Sequence, residues 1–427
     1  MRWGLSGLYL IVSVFAVPLL LVRYLRTGKP VAAAWTRCTG RILRPPARGS
    51  VWIHAVSVGE VLQARPLIDA IRDRDGSQPI VLSTSTASGL AVARERYADC
   101  HVVPMPFDFC WAMSSAFERI APREVVLIEL ELWPNLLAEA RRRHVDVSVV
   151  SGRLSVNSFR GYRRLRRLVA PMVRSLSSIG TQTETYRERF LALGADPDRV
   201  RVTGSLKHDN QSMTVPQVVV SGIRDHFAIG PDATLIVAGS THAPEETNLL
   251  DAYTELRKRF SSVRLVIVPR HPERFDTVAG MIAASGHTVA RRSQPATSDA
   301  TSVGLLDSLG ELAGCYHAAE IAFVGGSLTR RGGQNMLEAA AAGAATVFGP
   351  SVWNFPIESS SLVEAEAAVQ IKQPSELTAA LATLVADASR RDEIAAAGQR
   401  VATSLAGCRD LEADRIMRTD PQTRRAA

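Results

Sequence analysis

Glu60 stands directly after an apolar, β-branched run, VWIHAVSVG (Val51–Gly59), and before a segment with Val61, Ala64, Leu67, Ile68 and Ile71 at helical spacing. A buried strand that ends at Val58, a turn at Gly59 and a helix start would leave that carboxylate at a helix N-terminus. Two readings stand on this stretch alone. The helix dipole favours an acid there as a cap; equally, a carboxylate poised beside a hydroxyl is a general base. His54, inside the strand, reads as a satisfied core histidine. In LIELELWPN (Leu127–Asn135), Glu129 and Glu131 interrupt a strand end, and their spacing of two puts both on one strand face. No DxD motif accompanies them, so no chelated metal is implied. In VTGSLKHD (Val202–Asp209), Lys207 follows a Gly-Ser turn and could supply positive charge to a developing anion.

The second half carries groups suited to phosphate. GSTHAPEE (Gly239–Glu246) follows a strand with a small-residue turn. PRHPERF (Pro269–Phe275) puts Arg270 and His271 at the next strand end, and a guanidinium fork matches phosphate oxygens bidentately. DSLGEL (Asp307–Leu312) precedes IAFVGGSLTRRGGQNMLEAAAAGAATVFGP (Ile321–Pro350), which reads as strand, glycine loop, helix and strand. Gly325, Gly326, Gly332 and Gly333 let backbone approach a ligand. Asn335 opens a helix whose N–H groups can meet phosphate oxygens, and Glu338, one turn in, can accept from ribose hydroxyls. The pattern is neither GxGxxG nor GxxxxGK[ST], which disfavours dinucleotide and P-loop readings.

Positioning these groups requires strands that deliver them to one edge. Strands are expected at Val51–Val56, Ile80–Ser83, Val125–Leu130, Val145–Val150 and Ile179–Thr181, and again at Leu235–Gly239, Leu265–Val268, Ile321–Val324 and Thr346–Phe348. Helical stretches alternate with them, the pattern of parallel sheets with crossover helices. The expectation is an α/β protein of two Rossmann-like domains facing a cleft, joined by the polar linker His208–Gln217. Ligands in such sheets bind beyond the strands' carboxyl ends. The chain has 427 residues, 46% hydrophobic, with 50 Lys and Arg against 42 acids and a net charge of +8. That charge favours an anionic partner. Aromatics are 6% and form no strip with basic residues, which argues against nucleic acid. The five cysteines are scattered without a CxxC pair, as in a reducing compartment. Residues 3–22 lack charge and are long enough to span a core of about 30 Å. Arg23, Arg26, Lys29, Arg37 and Arg41 follow, so positive-inside logic keeps the body cytosolic. The basic stretch FRGYRRLRRLVAPMVR (Phe159–Arg174) suits either solvent or anionic headgroups. The expected division is 1–30 as membrane anchor and basic flank, 31–212 as N-terminal Rossmann-like domain and 213–427 as C-terminal Rossmann-like, nucleotide-binding domain.

Taken in order, HAVSVGE, ELELWPN, SGRLS, TGSLKHD, PRHPERF, LGEL, FVGGSL…RGGQNMLEAAA and GP resemble the 3-deoxy-D-manno-octulosonic acid (Kdo) transferases of lipopolysaccharide synthesis, which have the GT-B glycosyltransferase fold. The resemblance spans His54 to Pro350 and implies inverting transfer of Kdo from CMP-Kdo to the lipid A precursor, lipid IVA, at the inner membrane. It implies Glu60 as the base and Glu129 and Lys207 as transition-state stabilisers. It implies a CMP site made of Pro269 and Arg270, of Leu309, Gly310 and Glu311, and of Asn335, Met336, Leu337 and Glu338. It implies no metal and no cofactor. Leu130, His208 and Met336 depart from residues common in the family. The competing readings are another GT-B nucleotide-sugar enzyme, such as an epimerase, and a non-catalytic membrane-bound nucleotide- or lipid-binding protein.

Overall fold

The central strands β1 (Val51–His54), β2 (Ile80–Thr84) and β4 (Glu124–Ile128) are buried on both faces, which is why they read as near-continuous apolar runs rather than alternations. The computed structural model describes residues 34–42, 48–209, 215–296, 299 and 301–418. The expected membrane anchor lies outside these residues. Among the described residues, no helix is long and apolar enough to cross a membrane.

The chain forms two compact units, one running to Asn210 and resuming at Ala406, the other Gln211–Leu405. The first holds a seven-stranded parallel sheet: β1 (Val51–His54), β2 (Ile80–Thr84), β3 (His101–Pro104), β4 (Glu124–Ile128), β5 (Asp146–Gly152), β6 (Ser178–Thr181) and β7 (Val200–Val202), in the order 3-2-1-4-5-6-7. The second repeats the plan with β8 (Thr234–Thr241), β9 (Val263–Pro269), β10 (Val289–Arg291), β11 (Val303–Leu305), β12 (Ile321–Val324), β13 (Ala345–Phe348) and β14 (Val369–Gln370), in the order 10-11-9-8-12-13-14. Each order reverses once, between β1 and β4 and between β8 and β12. Loops leaving a reversal point diverge to opposite faces and leave a crevice at the carboxyl edge.

Five strands escape the sequence pattern: β3, β7, β10, β11 and β14. None exceeds four residues, and short strands at sheet margins carry too little apolar run to register. The segment His208–Gln217 is not wholly a linker. His208 and Asp209 are buried in the first unit, and Gln217 opens helix Gln217–His226.

The largest departure is at the carboxyl end, where residues from Ala406 belong with the first unit and not with the second. Helix Cys408–Arg418 docks on helix Val58–Arg74, burying Cys408, Ala413 and Ile416 in the core beneath β1. Arg415 reaches in to Glu124 at 2.7 Å, Glu412 at 2.9 Å and the Ser148 hydroxyl at 2.9 Å. Glu124 and Glu412 are each 1% exposed. Two buried carboxylates need this cation, so Arg415→Ala should destabilise the first unit by about 3–5 kcal/mol. A thermal or urea melt checks this; an unchanged midpoint would show that the network is dispensable.

Candidate active site

Helix Val58–Arg74 begins because Ser57 caps it, and Glu60 completes the cap in reverse. The Glu60 N–H donates to Ser57 Oγ at 3.3 Å, while Ser57 Oγ–H and the Val56 N–H donate to the Glu60 carboxylate at 2.8 Å each. This reciprocal arrangement is a capping box. Gly59 is therefore inside the helix, and the turn expected of it is made one step earlier at Val56–Ser57. The apolar face behind it, Val61, Ala64, Leu67, Ile68 and Ile71, is fully buried and fixes the helix on the sheet. His54 is a core residue, as its apolar strand implied. It is 1% exposed, hydrogen-bonded to Ser83, and pushed down to about 4 by burial.

β4 stops at Ile128, so Glu129 and Glu131 do not share a strand face. Glu129 adopts a left-handed conformation, φ 63°, with its N–H bonded to Val150 O at 2.9 Å. From there its carboxylate meets Lys207 Nζ at 3.2 Å. The loop is pinned downstream by Asp108, whose carboxylate takes the N–H groups of Asn135 and Leu136 at 2.9 and 2.8 Å. Lys207 lies in the short helix Leu206–Asp209. The Ser151 hydroxyl accepts the Leu206 N–H at 2.9 Å, and Asp209 takes the N–H groups of Gly407 and Arg409. The C-terminal helix therefore helps to place Lys207, a relation invisible in local sequence.

These groups meet around one pocket of about 200 Å³, lined by Glu60, Glu129, Glu131, Leu130, Ile128, Arg153, Ser155 and Ser158. It sits at the reversal between β1 and β4, where residues following both strands converge. Arg153, Ser155 and Ser158 were not singled out as site residues from sequence. Their signal was available: Arg153 directly follows β5, at the same carboxyl edge. Desolvation raises the Glu60 carboxyl; the Val56 and Ser57 hydrogen bonds oppose this, and the Glu129 charge adds to it. Glu131 is raised as well, by desolvation and then by the Glu60 charge. A half-buried carboxylate with an elevated pKa beside a lysine–glutamate pair can accept a proton from a hydroxyl.

In the second unit the expected donor-site residues also fall on the carboxyl edge, after β9, β11 and β12. Arg270 is exposed, with its N–H bonded to Thr241 O at 3.1 Å. Leu309 is 76% exposed and Gly310 has φ 89°. Glu311 is held by Arg292 at 2.8 Å and by the Ser308 hydroxyl; burial would raise its carboxyl, but these partners keep it below its ordinary value. Helix Met336–Ala341 is only six residues, and Asn335 itself accepts the Leu337 N–H at 3.1 Å. Met336 and Leu337 point their side chains into the core, so only their main chain can face a ligand. Glu338 is exposed beside Asn335 and within electrostatic reach of Arg270. Among the described residues, no group of three His, Cys, Asp or Glu could hold a metal ion.

The family model for 3-deoxy-D-manno-octulosonic-acid transferase (kdotransferase) matches residues 33–210. The chain is 32% identical to the 3-deoxy-D-manno-octulosonic acid transferase of Bordetella pertussis over 85% of each chain. It is 30% identical to that of Haemophilus influenzae over 84% of each chain. Among solved structures it is similar to a glycosyltransferase from Rickettsia africae, with a TM-score of 0.58 at 10% identity, covering 87% of this chain and 100% of that one. That likeness concerns the fold, two Rossmann-like α/β units of the GT-B kind.

Proposed function

The chain belongs to the 3-deoxy-D-manno-octulosonic acid transferase family, whose members are glycosyltransferases, and from that premise we propose that it moves Kdo from CMP-Kdo to a hydroxyl of the lipid A precursor lipid IVA. The observation that carries the reading is the convergence of Glu60 and Glu129 on one pocket of the first unit, with Lys207 paired to Glu129.

In this mechanism the acceptor hydroxyl enters that pocket. Its oxygen attacks the anomeric carbon of Kdo, and the bond from that carbon to the CMP phosphate oxygen breaks. The hydroxyl proton passes to the Glu60 carboxylate, and CMP leaves with the bonding pair. Attack opposite the leaving group inverts the anomeric centre. Glu129 and Lys207 act as one unit: the carboxylate orients the ammonium, and the ammonium stabilises negative charge as it develops. Ser57 and the Val56 N–H hold Glu60 in place, at the expense of some basicity. In the second unit Arg270, the Leu309–Glu311 turn and the Asn335–Glu338 segment form the site for the CMP part.

The first unit also has a face suited to a lipid surface. Helices Val156–Arg164 and Arg166–Arg174 break at Leu165 and bury Val169, Ala170 and Val173. Leu165 and Leu168 remain 57% and 60% exposed among Arg160, Arg163, Arg164, Arg166 and Arg167. Ser155 and Ser158, at the start of this segment, line the pocket. Arginines around exposed leucines fit anionic headgroups and an amphiphilic, phosphorylated acceptor. Together with the apolar sequence 3–22, this supports a position on the cytoplasmic side of the inner membrane.

Incubating purified protein with CMP-Kdo and tetraacylated lipid A precursor tests the reading. Mass spectrometry of the lipid should show an added Kdo residue. A lipid of unchanged mass, with intact donor, would overturn it.

A further inference from the structure

The last residue of β8 and the residue after it each carry a side-chain atom that has no hydrogen-bond partner among the described residues: Thr241 Oγ1 and His242 Nε2. Thr241 is fully buried and His242 is 3% exposed. Buried polar groups are normally satisfied, and each exception calls for a partner from elsewhere.

The surroundings are built rather than loose. Glu245, fully buried, takes the N–H groups of His242, Gly326 and Leu328 at 2.9, 2.8 and 2.9 Å. One carboxylate thus locks the loop after β8 to the glycine loop after β12, at the point where strand order reverses. The loops touch so closely that a Cβ on Gly325 would lie 2.4 Å from Ser240 O. A Cβ on Gly326 would come 3.4 Å from the His242 ring. The His271 ring packs edge-on to His242 with centroids 5.2 Å apart. His271 is 44% exposed at its side chain and approaches Glu273 at 3.8 Å, so it forms a displaceable cover.

The charged side chains that shift the His242 imidazole all act in one direction. Burial first, and then Arg331, His271, Arg274 and Arg270 in that order, together lower its pKa to about 4. Arg274 is engaged by Glu246 at 3.1 Å, which leaves Arg331 and Arg270 as exposed guanidinium groups within electrostatic reach of the imidazole. Two orphaned groups that can each donate, His242 Nε2 as its N–H tautomer, within electrostatic reach of two arginines are complementary to an oxyanion and disfavour a cation.

Building on the reading above, we propose that His242 Nε2 and Thr241 Oγ1 hydrogen-bond an oxyanion of the nucleotide-sugar donor as the His271 ring moves aside. The donor offers two such groups next to the reacting carbon, the CMP phosphate and the Kdo carboxylate. Glu245 is the positioning residue that holds the loop in register.

The test is equilibrium binding to the full-length protein in detergent, comparing wild type with His242→Ala, His242→Gln and Thr241→Val, using cytidine, CMP and CMP-Kdo. Loss of a hydrogen bond to a charged oxygen should weaken the anionic ligands by about tenfold to a hundredfold in His242→Ala. Cytidine affinity should stay unchanged, and His242→Gln, which keeps a donor, should recover part of the loss and covers the case of a misfolded alanine variant. Weaker binding of both CMP and CMP-Kdo assigns the contact to the phosphate. Weaker binding of CMP-Kdo alone assigns it to the carboxylate. Affinities for both within twofold of wild type in all three variants would overturn the proposal. A wild-type protein that binds neither CMP nor CMP-Kdo would remove the functional reading itself, and this inference with it.

Discussion

Glu60→Gln should reduce Kdo transfer by on the order of a hundredfold to ten-thousandfold, the range for losing a positioned general base. The amide cannot take the hydroxyl proton, but its oxygen can still accept one of the hydrogen bonds from Ser57 and Val56 that close the cap. Loss of a cap costs about 1 kcal/mol, far too little to unfold the unit, so a melt near the wild-type value would separate chemistry from folding. CMP affinity should be unaffected if, as proposed, the donor site belongs to the other unit. The pH dependence follows from the direction of the shift. A base works when ionised, so the rate rises with pH through the Glu60 pKa, and desolvation puts that acid limb above the ordinary glutamate range near 4.3. Glu129→Gln removes a negative neighbour that raises Glu60, so in that variant the acid limb should move to lower pH. Substantial activity in Glu60→Gln would assign the base elsewhere, with Glu131 in the same pocket as the first alternative.

Lys207→Met should lower the transfer rate by about a hundredfold to a thousandfold, as expected for one preorganised charge facing a developing anion. The loss has to come from chemistry. The Lys207–Glu129 pair is 40% and 24% exposed at its side chains, and partly exposed pairs contribute about 1 kcal/mol or less to stability. The measurement is kcat and KM for donor and acceptor alongside a thermal melt. The expected pattern is a fall in kcat with donor KM little changed. A variant with wild-type kcat would reduce the lysine to a surface partner of Glu129. Lys207→Arg should restore only part of the rate, since the planar guanidinium keeps the charge but not the compact geometry.

The readable parts of the fold were those with local signals. β1, β2, β4, β5, β6, β8, β9, β12 and β13 announce themselves because inner strands of parallel sheets carry short apolar runs. The short marginal strands carry no such run and stayed hidden. Glu60 left an even choice between cap and base, and the structure combines the two: it closes a capping box and faces the pocket. The same-face pairing expected of Glu129 and Glu131 failed for a definite reason. The strand ends before them, and a left-handed backbone at Glu129 redirects its carboxylate toward Lys207. Of the donor-site residues, Met336 and Leu337 are core side chains, a distinction that a glycine loop followed by an apolar helix does not convey.

From its sequence alone, the chain was bound to build two parallel-sheet units and to bring Glu60, Glu129 and Arg270 close to strand ends. Residue type, apolar runs and turn residues act over a few neighbours, and these outcomes need nothing longer. Strand order is different. It depends on which faces pack together, so only the tertiary structure sets β4 beside β1 and thereby joins Glu60 and Glu129 in one pocket. The same holds for Lys207, 78 positions from its partner, and for the last helix, which returns to the first unit to satisfy Glu124 and cap its own start on Asp209. It holds as well for His242, whose missing partner becomes visible only when two loops, brought together at a sheet reversal, leave it buried.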